Sequence, residues 1–240
     1  MTGNHPVLLL TPGLMCDAAS WGPVPAMLSG FDCRVVDHGT ADHLTQMAEQ
    51  LLAHAPERFA LAGHSMGGRV ALEVMRVAPE RVTHLGLFDT GHLPKPAGVT
   101  GDEEVRKRMA LLAIAREQGL RAMASEWVKG MVAPHRLNDQ SLIDAILQMF
   151  ERKSADIFER QLRALIQRPD ATPVLHKIQV PTLVLCGEQD AWSPPSQHQA
   201  MADCIPARPA IVTIADCGHM AMQEQPEAVA QAMRQWLSAH

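Results

Sequence analysis

The chain reads as an α/β protein: a mostly parallel sheet with helices on both faces and an inserted helical lid. Three observations carry that expectation. Short continuous apolar runs recur along the chain, helical patterns separate most of them, and the alternation stops between residues 92 and 169. Strands that are apolar throughout, rather than at every second residue, belong to a parallel sheet covered on both faces. A chain of 240 residues suits one domain, or one domain carrying an insertion, with apolar content ample for a large core.

Taken in order, the first run is Val7–Leu10, which ends in Thr11-Pro12-Gly13. Cys33–Val36 follows and ends in Asp37-His38-Gly39; Gln46–His54 then has helical spacing. Phe59–Ala62 leads into Gly63-His64-Ser65-Met66-Gly67-Gly68. After it Val70, Ala71, Val74, Val77 and Ala78 mark a helix that Pro79 stops. His84–Phe88 ends in Asp89-Thr90-Gly91, Thr182–Cys186 in Gly187-Glu188-Gln189-Asp190, and Ile211–Ile214 in Asp216-Cys217-Gly218-His219. Ligands of open α/β sheets bind beyond the carboxyl ends of the strands, so the chemistry is expected among these polar and glycine-rich ends.

Residues 1–91 and 170–240 are thus read as the core, and 92–169 as the lid. Pro94 and Pro96 punctuate its entry; Pro169, Pro173 and Pro181 mark the return. Four helical patterns lie between, about Asp102–Gln118, Leu120–Val132, Ser141–Lys153 and Asp156–Gln167. Asp102, Glu103 and Glu104 are placed at a helix start, where acidic groups suit the dipole. Met109, Leu112, Met123, Trp127, Met131, Leu147 and Met149 offer an adaptable apolar lining, although most are expected to pack the lid helices together.

Net charge is −5, and no basic run carries interleaved aromatics, so no nucleic-acid partner is expected. The amino terminus has no basic leader, and Val7–Leu10 is too short for a signal or a membrane span. A soluble, cytoplasmic protein without a membrane partner is expected. Five cysteines (Cys16, Cys33, Cys186, Cys204, Cys217) form no framework and read as reduced, mostly buried thiols. Oligomeric state is not legible here.

The segment Gly63–Gly68 is the most informative. A serine flanked by glycines between strand and helix can be held on a sharp turn with its hydroxyl pointing outward. Gly63 and Gly67 are required there because backbone crowds against backbone. A serine hydroxyl is a poor nucleophile at neutral pH and needs a base in hydrogen-bonding reach, with a third group to orient that base. The candidate base is His219, on a tight loop that Gly218 permits. His64 must point away if Ser65 points out, and is read as structural. His5, His38 and His43 show no paired metal spacing and are given surface roles by default. The favoured acid is Asp190, with Glu188 and Asp89 as competitors; Asp89 could instead bond nearby backbone amides in a loop.

With these residues in place, the chain resembles the α/β-hydrolase superfamily over nearly its whole length. Thr11-Pro12-Gly13-Leu14, Gly63-His64-Ser65-Met66-Gly67-Gly68, Gly187-Glu188-Gln189-Asp190 and Gly218-His219 match family landmarks in order. The stretch Leu9–Asp17 with Trp21 resembles a subgroup of compact esterase-like hydrolases. The order Ser65, Asp190, His219 is that of the family triad. The resemblance further implies an oxyanion hole made by the backbone N–H groups of Leu14 and Met66. Two departures stand out: the two antiparallel strands that usually precede the first parallel one are missing, and Pro12-Gly13 replaces the usual His-Gly. The expected activity is hydrolysis of a small-molecule carboxylic ester through an acyl-enzyme, which requires neither cofactor nor metal. C–C bond hydrolysis, thioester or lactone cleavage would use the same residues. A hydrolase-fold ligand receptor is a more distant alternative.

Overall fold

Residues 5–239 are described by a computed structural model of the chain. The six apolar runs form six strands: β1 (Val7–Thr11), β2 (Asp32–Val35), β3 (Phe59–His64), β4 (Val82–Phe88), β5 (Thr182–Gly187) and β6 (Ile211–Ile214). They make one sheet in the order β2-β1-β3-β4-β5-β6, parallel at every pairing. The helices are α1 (Leu44–His54), α2 (Met66–Val77), α3 (Gly98–Glu117), α4 (Leu120–Trp127), α5 (Gln140–Glu151), α6 (Ala155–Ile166), α7 (Thr172–Leu175), α8 (Pro195–Asp203), α9 (Ala221–Glu224) and α10 (Pro226–Leu237).

Side chains alternate across a strand, so each apolar run feeds two layers. Leu9, Leu61, Leu85 and Leu87 pack with Met47 and Leu51 of α1 and Val70 and Val74 of α2. Leu8, Leu10, Ala60, Ala62 and Leu185 face the other way, onto Trp21, Val229 and Met233. Trp21 meets Phe88 edge to face at 5.6 Å, an arrangement that adds to the area both rings bury. Burial on both faces explains why β1, β3 and β5 lack polar alternation.

Helices α3 to α6 all lie between β4 and β5. Met123, Met131 and Met149 are buried, as are Leu112 and Leu147, so they pack this helical block rather than line a free surface. Trp127 stacks on Phe150 at 5.5 Å and tilts against Phe158 at 5.6 Å. Helix α3 begins at Gly98, earlier than the sequence pattern indicates, and has no acidic residue in its first turn. Glu103 and Glu104 sit further along and do not serve the dipole. Glu103 pairs with Arg106, while Glu104 holds Arg108 and Arg168. The glycines at 98 and 101 hid the true start, because glycine carries little helix propensity.

Candidate active site

Ser65 joins β3 to α2 with φ 54° and ψ −116°. That backbone conformation costs a residue with a Cβ about 1–3 kcal/mol and persists only where the surroundings over-determine it. Here they do. The Ser65 N–H donates to Phe88 O of β4 at 2.9 Å, and its carbonyl accepts from Thr90 Oγ1 at 2.7 Å. A Cβ on Gly63 would run into the Gly67 carbonyl, and one on Gly67 into the Thr11 carbonyl. Only glycine lets the three segments close on the turn. Serine at a helix N-cap usually bonds to the helix backbone; Ser65 makes no such bond, which leaves its hydroxyl available.

That hydroxyl meets His219. Ser65 Oγ lies 2.9 Å from Nε2, and Nδ1 lies 2.8 Å from Asp190 Oδ2. A carboxylate only accepts, so Nδ1 carries the proton and Nε2 is left to accept from the serine. The other Asp190 oxygen, Oδ1, accepts the N–H groups of Trp192 at 2.9 Å and Ser193 at 3.0 Å. Burial opposes charge on Asp190. The His219 imidazole and these hydrogen bonds outweigh that burial and hold the carboxyl below the usual carboxylate range. Asp190 and His219 are buried, and Ser65 is half-buried.

The competing acids lie elsewhere. Glu188 is exposed. Asp89 is fully buried, but its Oδ1 accepts the Gly187 N–H at 2.8 Å, the backbone-bonding alternative considered from sequence. Burial, reinforced by the charge of Asp190, pushes the Asp89 carboxyl well above its usual range. His64 is buried, and its Nε2–H donates to the His219 carbonyl at 2.8 Å. Burial, then the neighbouring His219, lowers its pKa to about 3 and keeps it neutral. Its role is to brace the histidine loop from the sheet side.

The loop after β1 approaches from above. Thr11 Oγ1 donates to Ala62 O and Gly67 O, and the Gly13 backbone packs against His64 and Ser65. This brings the Gly13–Leu14 segment beside the serine, while Met66 follows it directly at the start of α2. Three residues that sequence reasoning missed shape the surroundings. Gln161 of α6 accepts the Met15 N–H at 2.7 Å. It lies on the buried face of α6 with Phe158, Leu162 and Leu165, a polar residue in an apolar stripe. His38, given a surface role, is instead buried and donates to Pro12 O at 2.9 Å, a contact without local signal. Trp192 stands 4.9 Å from the His219 ring and stacks on Trp127 at 5.5 Å.

The alpha/beta hydrolase family model matches residues 7–232. The chain belongs to the alpha/beta hydrolase family. Among alpha/beta hydrolase relatives, it is 27% identical over 242 residues to a pimeloyl-[acyl-carrier protein] methyl ester esterase of Nitrosomonas europaea, covering 94% of this chain and 93% of that one. A solved structure of a thermophilic esterase from Thermogutta terrifontis superposes with TM-score 0.84 at 29% identity, covering 98% and 90% of the two chains. An enol-lactonase from Burkholderia xenovorans LB400 gives 0.85 at 20% identity, covering 99% and 93%, and shares the fold. The alpha/beta hydrolase fold that the family resemblance implied is therefore the fold of this chain. Among the described residues, no helix is long and apolar enough to cross a membrane.

Proposed function

We propose that the protein is a serine hydrolase that cleaves carboxylic esters through an acyl-enzyme. One observation carries the reading. The hydrogen-bonded chain Ser65–His219–Asp190 runs from a hydroxyl on a strained turn to a buried carboxylate. Ser65 Oγ attacks the ester carbonyl while His219 Nε2 takes its proton. The N–H groups of Leu14 and Met66 receive the negative charge on the carbonyl oxygen, and each such donor contributes about 10²–10³-fold to the rate. His219 then gives its proton to the departing alcohol oxygen. It next takes a proton from water, whose oxygen attacks the acyl group, and returns that proton to Ser65. Asp190 holds the imidazole in the required tautomer and balances its transient positive charge.

The helical block inserted between β4 and β5 acts as a lid in this reading, and a small or medium apolar acyl group is the preferred substrate. The names of the esterase relatives agree with ester cleavage. The test is steady-state hydrolysis of a short p-nitrophenyl ester by wild type and Ser65→Ala. A fall in kcat of about 10⁴–10⁶-fold is expected. Equal turnover by the variant would dismiss Ser65 as nucleophile. Thioesters, lactones and diketones assayed beside the ester fix which bond is preferred.

A further inference from the structure

We propose that Glu224 is a positioning residue that fixes the His219 loop to the helical block, so that the block forms part of the mount of the catalytic base. This rests on the reading of His219 as that base. Glu224 is buried and ends α9. Its Oε1 accepts the N–H groups of Gly218 at 3.0 Å and Met220 at 3.2 Å, the residues on either side of His219. Its Oε2 accepts the Ala133 N–H of the helical block at 2.8 Å. His219 itself donates its N–H to Met131 O of the block at 2.8 Å. Three successive amides of the loop are thus committed, two to Glu224 and one to the block.

The two backbones also touch. A Cβ on Gly218 would come within 2.5 Å of Ala133 N and 2.6 Å of Val132 C. From behind, Arg136 of the block donates to the Glu224 carbonyl at 3.1 Å. On the sheet side, His64 holds the His219 carbonyl. The histidine backbone hangs between sheet and block, with Glu224 joining the two. Both Glu224 oxygens must accept, a requirement that a carboxylate meets and an amide does not. Burial raises the Glu224 pKa, while its three N–H donors and then Arg136 favour the charged form.

Two variants cut the same bond from opposite ends. In Glu224→Gln the amide oxygen is retained on the side with two donors, so the NH₂ faces the Ala133 N–H and the link to the block is lost. Ala133→Pro deletes that N–H, and its φ of −57° suits proline. Melting curves, kcat and KM on a short ester, and the rate of fluorophosphonate labelling of Ser65 are measured for both variants, wild type and Ser65→Ala. A misplacement of about 1 Å can cost about 10²-fold. Each folded variant should lose about 10–10²-fold in kcat and in labelling rate, with KM unchanged. A folded variant that labels at the wild-type rate overturns the proposal, as does failure of both to fold, which would make the contact purely structural. Wild type that neither labels nor turns over would instead remove the hydrolase reading, and this role with it.

Discussion

Replacing Asp190 by asparagine separates it from Asp89, the buried one of its two competitors for the acid role. The two oxygens of Asp190 do different work. Oδ1 accepts two backbone N–H groups, from Trp192 and Ser193, while Oδ2 faces the Nδ1 of His219. An asparagine must keep its oxygen on the side with two donors, since an NH₂ there would oppose two N–H groups. Its NH₂ then faces Nδ1 and forces that nitrogen to accept. The ring proton moves to Nε2, 2.9 Å from Ser65 Oγ, where a base is needed. That wrong tautomer costs about 10⁴-fold in kcat in serine–histidine–aspartate triads. Asp89→Asn should behave differently. Asp89 makes one bond through Oδ1, and among the described residues its Oδ2 has no partner. Its carboxyl is pushed well above the usual range by burial and by Asp190, which favours the neutral form, close in shape and charge to an amide. Steady-state kinetics on a p-nitrophenyl ester decide the matter. Asp190→Asn should lose about 10⁴-fold in kcat, with the melting temperature near wild type, and Asp89→Asn should stay close to wild-type rates. A collapse in Asp89→Asn with near-normal Asp190→Asn would transfer the acid role and refute the reasoning.

Further outcomes follow from the same contacts. A carboxyl whose folded pKa is raised loses stability as pH climbs from its unfolded pKa toward the folded one. Urea midpoints of Asp89→Asn should therefore gain on wild type as pH rises above about 4. For His64 the folded pKa, about 3, lies below the ordinary 6.5. The unfolded chain binds the extra proton between these values, so stability falls with acid by about 1.4 kcal/mol per pH unit. His64→Gln, whose amide can still reach the His219 carbonyl, should remove that increment from the acid slope of urea midpoints; an unchanged slope would contradict a neutral buried His64. Gln161→Ala frees the Met15 N–H and should loosen the loop that carries Leu14. A drop of about tenfold in kcat, with KM retained, is expected from a group that acts only in the transition state.

What was legible in the sequence was local. Val7–Leu10 and Phe59–Ala62 stand out because a strand buried on both faces must be apolar at successive positions, and the structure extends each only slightly. The Ser65 turn is legible because crowding demands glycine at fixed offsets. His219 and Asp190 could be proposed because each follows a strand, and the sheet gathers strand ends at one edge. The contacts that hold those groups in place were not legible. Glu224 reaches Ala133, and Gln161 reaches Met15, across separations that no periodicity records. His38 looked like any exposed histidine until the loop after β1 folded back over it. Helix α3 starts at Gly98, where its glycines suggested a loop.

The most direct measurement is to quench the protein with acid during turnover of a slowly deacylating ester, then digest it and weigh the peptides. The account predicts an added acyl mass on the peptide holding Gly63–Gly68, located at Ser65 and missing from Ser65→Ala. Rapid ester cleavage with that peptide unmodified, or with the acyl group on another residue, would contradict it.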